Sequence, residues 1–322
     1  MLSIPEIQAK IKAALPLGRV VPRHNEHGHF YEVIDGNDAI PPVYPSVTGK
    51  LAILKDESLI NYKQNKALEY MFAHYSEFTD ANIMEHIEIA KAVPQQNLIQ
   101  ASDVGTEIHD IRQLIFEKWM KDGIKPADFV ALIPPGQDDI RIVSAIRALQ
   151  KFVEDHDYTP IACELFVYSH KLKVAGTLDD LGMMRQVIRK PGQECDHQLL
   201  NGSGEKESAI IKSRNGKCTC MVCDYQYKYE FVLLDLKSSN ALKDHYFQQV
   251  ALYWKMFSAL VGIKPERCII LQVSKEKGTY KIEDLKRPGK IAQYASYMMK
   301  VDEGIQFIKS LRRNNQKEII TL

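Results

Sequence analysis

Apolar positions along the chain follow two periods, and the change from one to the other divides it. Over 5–15, 47–75, 82–98, 101–121 and 137–156 they recur at the three- and four-residue spacing of amphipathic helices. Leu114, Ile115 and Trp119 carry the face of the fourth helix, and Ile140, Ile142, Val143, Ile146, Leu149 and Phe152 that of the fifth. Before them, Phe30 to Ile34 alternates behind the His27-Gly28 turn signal and predicts a hairpin. Pro41, Pro42 and Pro45 mark a loop, and Ser46 stands where it can cap the next helix. From 161 onward the period changes. Residues 161–168 and 173–184 predict two strands joined by a short polar turn. Phe231-Val232-Leu233-Leu234 opens a third strand running to Lys237, and its unbroken apolar character predicts a central strand buried on both faces. A helix over 241–261, a strand over 268–273 and a helix over 289–312 follow. Residues 186–229 are poor in aliphatics and rich in Gly, Lys, Ser and Cys, which marks an insertion. The expected class is an α/β core behind a helical N-terminal region, with a hairpin and helical region over 1–100, a core over 101–322 and the insertion within it.

Charge changes little. Lys plus Arg number 42 against 41 Asp plus Glu, so any nucleic-acid partner must be held by a local patch. No apolar run is long enough for a membrane span, and the first residues lack a signal-peptide core. A cytoplasmic protein is expected. Cys163 and Cys268 sit in strand-like segments as candidate buried thiols.

The candidate chemistry starts at Asp235-Leu236-Lys237. On a strand, residues two apart share a face, so a carboxylate and an ammonium stand side by side. Such a pair suits phosphate chemistry, the carboxylate holding a divalent cation and the lysine stabilising charge or orienting water; a strand-edge ion pair is the plain alternative. Asp179 on the preceding predicted strand supplies a second carboxylate. Period two turns its neighbour Asp180 to the opposite face.

Glu164, Gly176-x-x-Asp179, Asp235-x-Lys237 and Gln249-x-x-x-Tyr253 together resemble the motif series of RecB-type nuclease domains in the PD-(D/E)XK superfamily. Gly105-Thr106-Glu107-Ile108-His109 resembles the helix motif of that group. Tyr44-Pro45-Ser46-Val47-Thr48 resembles the opening of stand-alone phage and mitochondrial genome maintenance exonucleases. The likeness runs from about residue 101 to 275. It implies a restriction-endonuclease-like core, a central mixed sheet flanked by helices, and a DNA exonuclease acting on single strands or free ends, in replication, recombination or repair. It implies Mg²⁺ or Mn²⁺ held by His109, Asp179, Asp235 and the Leu236 carbonyl, with Asp179, Asp235, Lys237 and Glu164 at the catalytic centre. It also implies that the helix of Gln249 and Tyr253 flanks the DNA path, with both side chains touching the strand or groups of the metal site, core packing being the alternative for Tyr253; Lys243 at the start of that helix is placed to meet phosphate. A structure-specific endonuclease, or a non-catalytic zinc- and DNA-binding subunit of a recombination complex, are the alternatives.

The insertion carries its own cluster, Cys195-x-His197 and Cys218-x-Cys220-x-x-Cys223, five soft ligands where tetrahedral zinc needs four. Structural zinc is the expectation, and an iron–sulfur cluster or unliganded thiols are the alternatives. Lys206, Lys212, Arg214 and Lys217 make the same insertion a candidate basic finger. His24-x-x-His27-x-His29 reads as a hairpin turn rather than a metal site. Tyr62, Tyr70, Phe72 and Tyr75 are candidates for stacking on bases, and their spacing equally fits ordinary helix packing.

Overall fold

A computed structural model describes residues 2–15, 20–25, 28–35, 40–51, 57–189, 198–200, 206–213, 217–223 and 225–320. Helix α1 (Ile4–Ala14) starts in a capping box between Ser3 and Glu6. Strands β1 (Val20–Asn25), β2 (Gly28–Val33) and β3 (Val43–Pro45) form a small antiparallel sheet, so the expected hairpin is present. His24 pairs in register with His29, while His27 lies outside the described residues. Helix α2 (Val47–Leu51) follows Ser46, whose Oγ accepts from Gly49 N at 2.9 Å, as its capping role requires.

Helix α3 (Glu57–Ala73) packs on α4 (Ile83–Asp122), a single helix of 40 residues. Two helices divided near residue 100 were expected, together with a domain border there. Ile99-Gln100-Ala101 holds no Pro or Gly to stop the turn, and the helix runs through. Helix α5 (Ile140–His156) begins at Asp139, which accepts from Arg141 N.

The core is a sheet of β4 (Thr159–Ser169), β5 (Val174–Arg189), β10 (Gln226–Lys237), β11 (Arg267–Val273) and β12 (Tyr280–Asp284), in the order β12-β11-β10-β5-β4. β10 and β11 run parallel and the other neighbours antiparallel, so the sheet is mixed. β10 is central, with 230–236 buried. β12 was not expected, because its Tyr-Lys-Ile-Glu-Asp pattern is too short and polar to stand out. The insertion is narrower than 186–229: β5 and β10 run into it and pair as far as Arg189 and Gln226. It holds the pair β6 (Gln198–Leu200) and β7 (Lys206–Ser208). It also holds β8 (Ile210–Lys212) and β9 (Lys217–Cys220), which extend the main sheet.

Helices cover both faces. α6 (Asp244–Val261) packs on one, with α1, α2 and the first part of α7 (Pro288–Ile320), around Leu178, Leu181, Leu233 and Ile270. α4 and α5 pack on the other, around Met184, Leu234, Leu236 and Ile269. No helix among the described residues is long and apolar enough to cross a membrane.

Candidate metal centre

Three elements converge where β5 and β10 pass under α4. Gly105 lets them meet: a Cβ there would stand 3.3 Å from Ser238 Oγ, just beyond the end of β10. One turn later, α4 turns His109 and Arg112 toward the sheet. His109 Nδ1 lies 3.6 Å from Asp179 Oδ2, and the same carboxylate oxygen accepts from Leu236 N at 2.8 Å. Ligand atoms of His109, Glu164 and Asp179 all lie within 4.8 Å of one another, and among the described residues this is the group of His, Cys, Asp and Glu that converges so closely.

Glu164 enters this group through its backbone. Its φ of 49° is left-handed, unusual for a non-glycine residue inside a strand, and such a conformation costs on the order of 1–3 kcal/mol. The inward alternation changes step at the same level on β5: Leu178 and Leu181 both face α6, although they are three positions apart. Asp179 and Asp180 therefore both turn to α4, Asp179 to His109 and Asp180 to Arg112. This corrects the expectation that Asp180 faces away; simple period-two counting fails at an irregular strand pair.

Arg112 was not anticipated. Its side chain is fully buried and forks between Asp180 and Glu164. The sequence did carry a signal: Arg112 follows Ile108 by four and precedes Ile115 by three, inside the buried stripe of α4.

Asp235 stands beside the group rather than in it. Shared ligation by Asp179 and Asp235 was expected, whereas Glu164 is the residue that closes with His109 and Asp179. Asp235 is wholly buried; Lys237 Nζ lies 2.6 Å from its Oδ2, an ion pair without hydrogen-bond alignment, and neither carboxylate oxygen has a hydrogen-bond donor. Lys237 Nζ also sits 5.1 Å from the centre of the Tyr246 ring. Buried, undersatisfied carboxylate oxygens beside an imidazole are a donor set that fits a divalent cation.

The electrostatics agree with that fit. Burial pulls the His109 imidazole down to about 4, against the opposing pull of Asp179, so at neutral pH it is the uncharged, ligating form. Burial pushes the carboxyls of Glu164, Asp180 and Asp235 up to about 7, despite Arg112 and Lys237. Burial also opposes ionisation of Asp179, but His109, Arg112, Lys237 and the Leu236 N–H outweigh it and hold the carboxyl below its ordinary value. Burial likewise opposes the Lys237 charge, and Asp235 and Asp179 outweigh it, raising the lysine.

Gln249 and Tyr253 are interior, at 8% and 3% exposure, and Gln249 Nε2 donates to the Tyr253 hydroxyl at 3.1 Å. They present no surface to a DNA strand, so their expected contact role is revised to support. Tyr253 fills the space over Gly176, where a Cβ would come within 2.8 Å of its ring; that close approach explains the glycine three residues before Asp179. Lys243 is half-buried at the N-cap of α6.

In the insertion, Cys195, His197 and Arg214 lie outside the described residues. Cys218 and Cys220 are buried on β9, and Cys223 packs in the turn that follows. Cys220 Sγ accepts from Val222 N at 3.3 Å. These three cysteines do not converge as the His109 group does.

No family model matches this chain, and no curated protein is significantly similar to it.

Proposed function

We propose that this protein is a metal-dependent nuclease with a PD-(D/E)XK core, most specifically an exonuclease acting on single-stranded or end-containing DNA. The observation that carries this reading is the convergence of His109, Glu164 and Asp179 within 4.8 Å, next to the buried Asp235–Lys237 pair. The supporting elements are those the resemblance implies: His109 on a helix, Asp179 and Asp235-x-Lys237 on neighbouring strands, and Gln249 and Tyr253 on the helix after them.

The chain's own groups divide the work. His109, Glu164 and Asp179 hold the cation, and Asp235 adds carboxylate oxygens beside them. Oxygen-rich ligation of this kind favours Mg²⁺ or Mn²⁺. Bound there, the cation supplies Lewis-acid polarisation of a phosphoryl oxygen and a more acidic water. Lys237, kept protonated by Asp235 and Asp179, stabilises negative charge gathering on the phosphoryl oxygens. Gln249 and Tyr253 brace β5 from beneath. Phe72 and Tyr75, at 79% and 75% exposure near the end of α3, offer faces on which bases can stack, while Tyr70 is occupied with His74 and His86.

End-labelled linear DNA and covalently closed circular single strands, incubated with Mg²⁺, Mn²⁺ or EDTA, test this. Linear single strands are expected to be degraded from an end, with closed circles resistant and EDTA abolishing the reaction. Rapid cutting of circles would replace the exonuclease with an endonuclease on the same site. No cleavage of any substrate would remove the nuclease reading.

For the insertion the proposal is a structural zinc, drawn from Cys195, His197, Cys218, Cys220 and Cys223. The N–H to Sγ bond at Cys220 and the shared face of Cys218 and Cys220 on β9 support it. Elemental analysis is expected to find about one zinc per chain, lost in Cys220→Ser/Cys223→Ser. Purified protein without zinc, or with iron and a visible absorption band, refutes it.

A further inference from the structure

A buried arginine needs a reason. Arg112 is fully covered, and its guanidinium nitrogens reach two carboxylates of different standing. Asp180 is itself fully buried and pairs with Arg112 without being one of the converging ligands, so it serves as a counterion. Glu164 is part exposed, at 29% of its side chain, and belongs to that group. Its backbone is held in a left-handed conformation that a glutamate in a strand does not adopt without compensation. Arg112 also lies three residues after His109, so both project from one face of α4.

We infer that Arg112 is a positioning residue for the metal centre: through its second guanidinium arm it fixes the Glu164 carboxylate in register with His109 and Asp179, so that the three present a preformed cation site. The inference rests on the metal reading of that site but not on DNA cleavage. An arginine suits this task because its planar fork binds two carboxylates at a fixed mutual angle, which a lysine cannot do. One arm donates to Asp180 Oδ2 and anchors the guanidinium in the core, leaving Asp180 Oδ1 without a hydrogen-bond partner; the other aims Glu164. Supports of this kind around metal ligands typically change metal affinity by about 10- to 100-fold.

The test is Mn²⁺ binding to the full chain by titration calorimetry, with circular dichroism to verify folding. Arg112→Met alone strands the buried Asp180 and the half-buried Glu164 and can fail to fold, so the informative variant is Arg112→Met/Asp180→Asn, which removes the counterion pair together. Its Mn²⁺ dissociation constant is expected to rise about tenfold or more. Asp180→Asn alone, which leaves the Arg112–Glu164 arm in place, is expected to stay within about twofold of wild type. Adding Arg112→Met/Asp180→Asn to Glu164→Gln is expected to cause no further loss, because the arm then has nothing to aim. A double variant that binds Mn²⁺ like wild type overturns the inference, as does an Asp180→Asn loss equal to that of the double variant. Wild-type protein that binds no Mn²⁺ overturns it together with the metal reading. Mn²⁺ binding without cleavage of any DNA removes the nuclease reading and leaves this inference standing.

Discussion

Alanine at Asp179, Asp235 or Lys237 is expected to reduce DNA cleavage at least about 100- to 1,000-fold each, roughly 2.7–4 kcal/mol of transition-state stabilisation, with the fold retained. Asp179 links the centre together: its carboxylate faces His109 and accepts from Leu236 N, so its loss removes a ligand and loosens β10 against β5. Asp235 and Lys237 neutralise one another in a buried setting. Removing either leaves the other charge without its partner, so Asp235→Asn and Lys237→Met are useful companions that keep the volume. Single-turnover cleavage of a labelled oligonucleotide at saturating Mg²⁺ measures the effect. Purified, folded Asp235→Ala that still cleaves would defeat the site assignment, whatever the substrate.

The largest expected effect on stability is at Arg112. Replacing it with methionine leaves Asp180 and Glu164 facing an apolar side chain, one wholly and one largely shielded from water. Breaking a buried ion pair from one side typically costs about 3–5 kcal/mol, because the remaining charge stays desolvated. Urea unfolding of metal-free Arg112→Met is expected to show a loss of that size, with a large part regained in Arg112→Met/Asp180→Asn. A loss below about 1 kcal/mol would mean that the carboxylates adapt by other means, and that the guanidinium is not what holds this corner of the core.

The sequence by itself determined the elements and the ligand types. Period-two and helical patterns located β4, β5, β10, β11, α5 and α6, because burial of one face imposes a repeat that local spacing records. The apolar run before Asp235 marked the central strand for the same reason. Asp235 and Lys237 stood out as a carboxylate and an ammonium on one strand face and Asp179 as a second carboxylate on the preceding strand, whereas His109 was marked only by the resemblance of Gly105-Thr106-Glu107-Ile108-His109 to the RecB-type helix motif. Short polar β12 carried too little pattern to be read, and α4 runs on through both Pro94 and Gly105, so its continuity could not be read from local breaker signals. Only the tertiary structure decided which side chains meet. The left-handed backbone at Glu164 and the change of step between Leu178 and Leu181 turn Asp180 toward α4, and no local count reveals such an irregularity. Arg112 appears in the sequence as one charge within an apolar stripe; its partners lie 52 and 68 residues away, on two strands that fold against its helix. Gln249 and Tyr253 share a helix face in the sequence, but whether that face meets solvent or Gly176 is set by α6 packing on β5. Side-chain pairing across distant elements depends on register and packing, and these exist only once the sheet and its two helical layers have closed on each other.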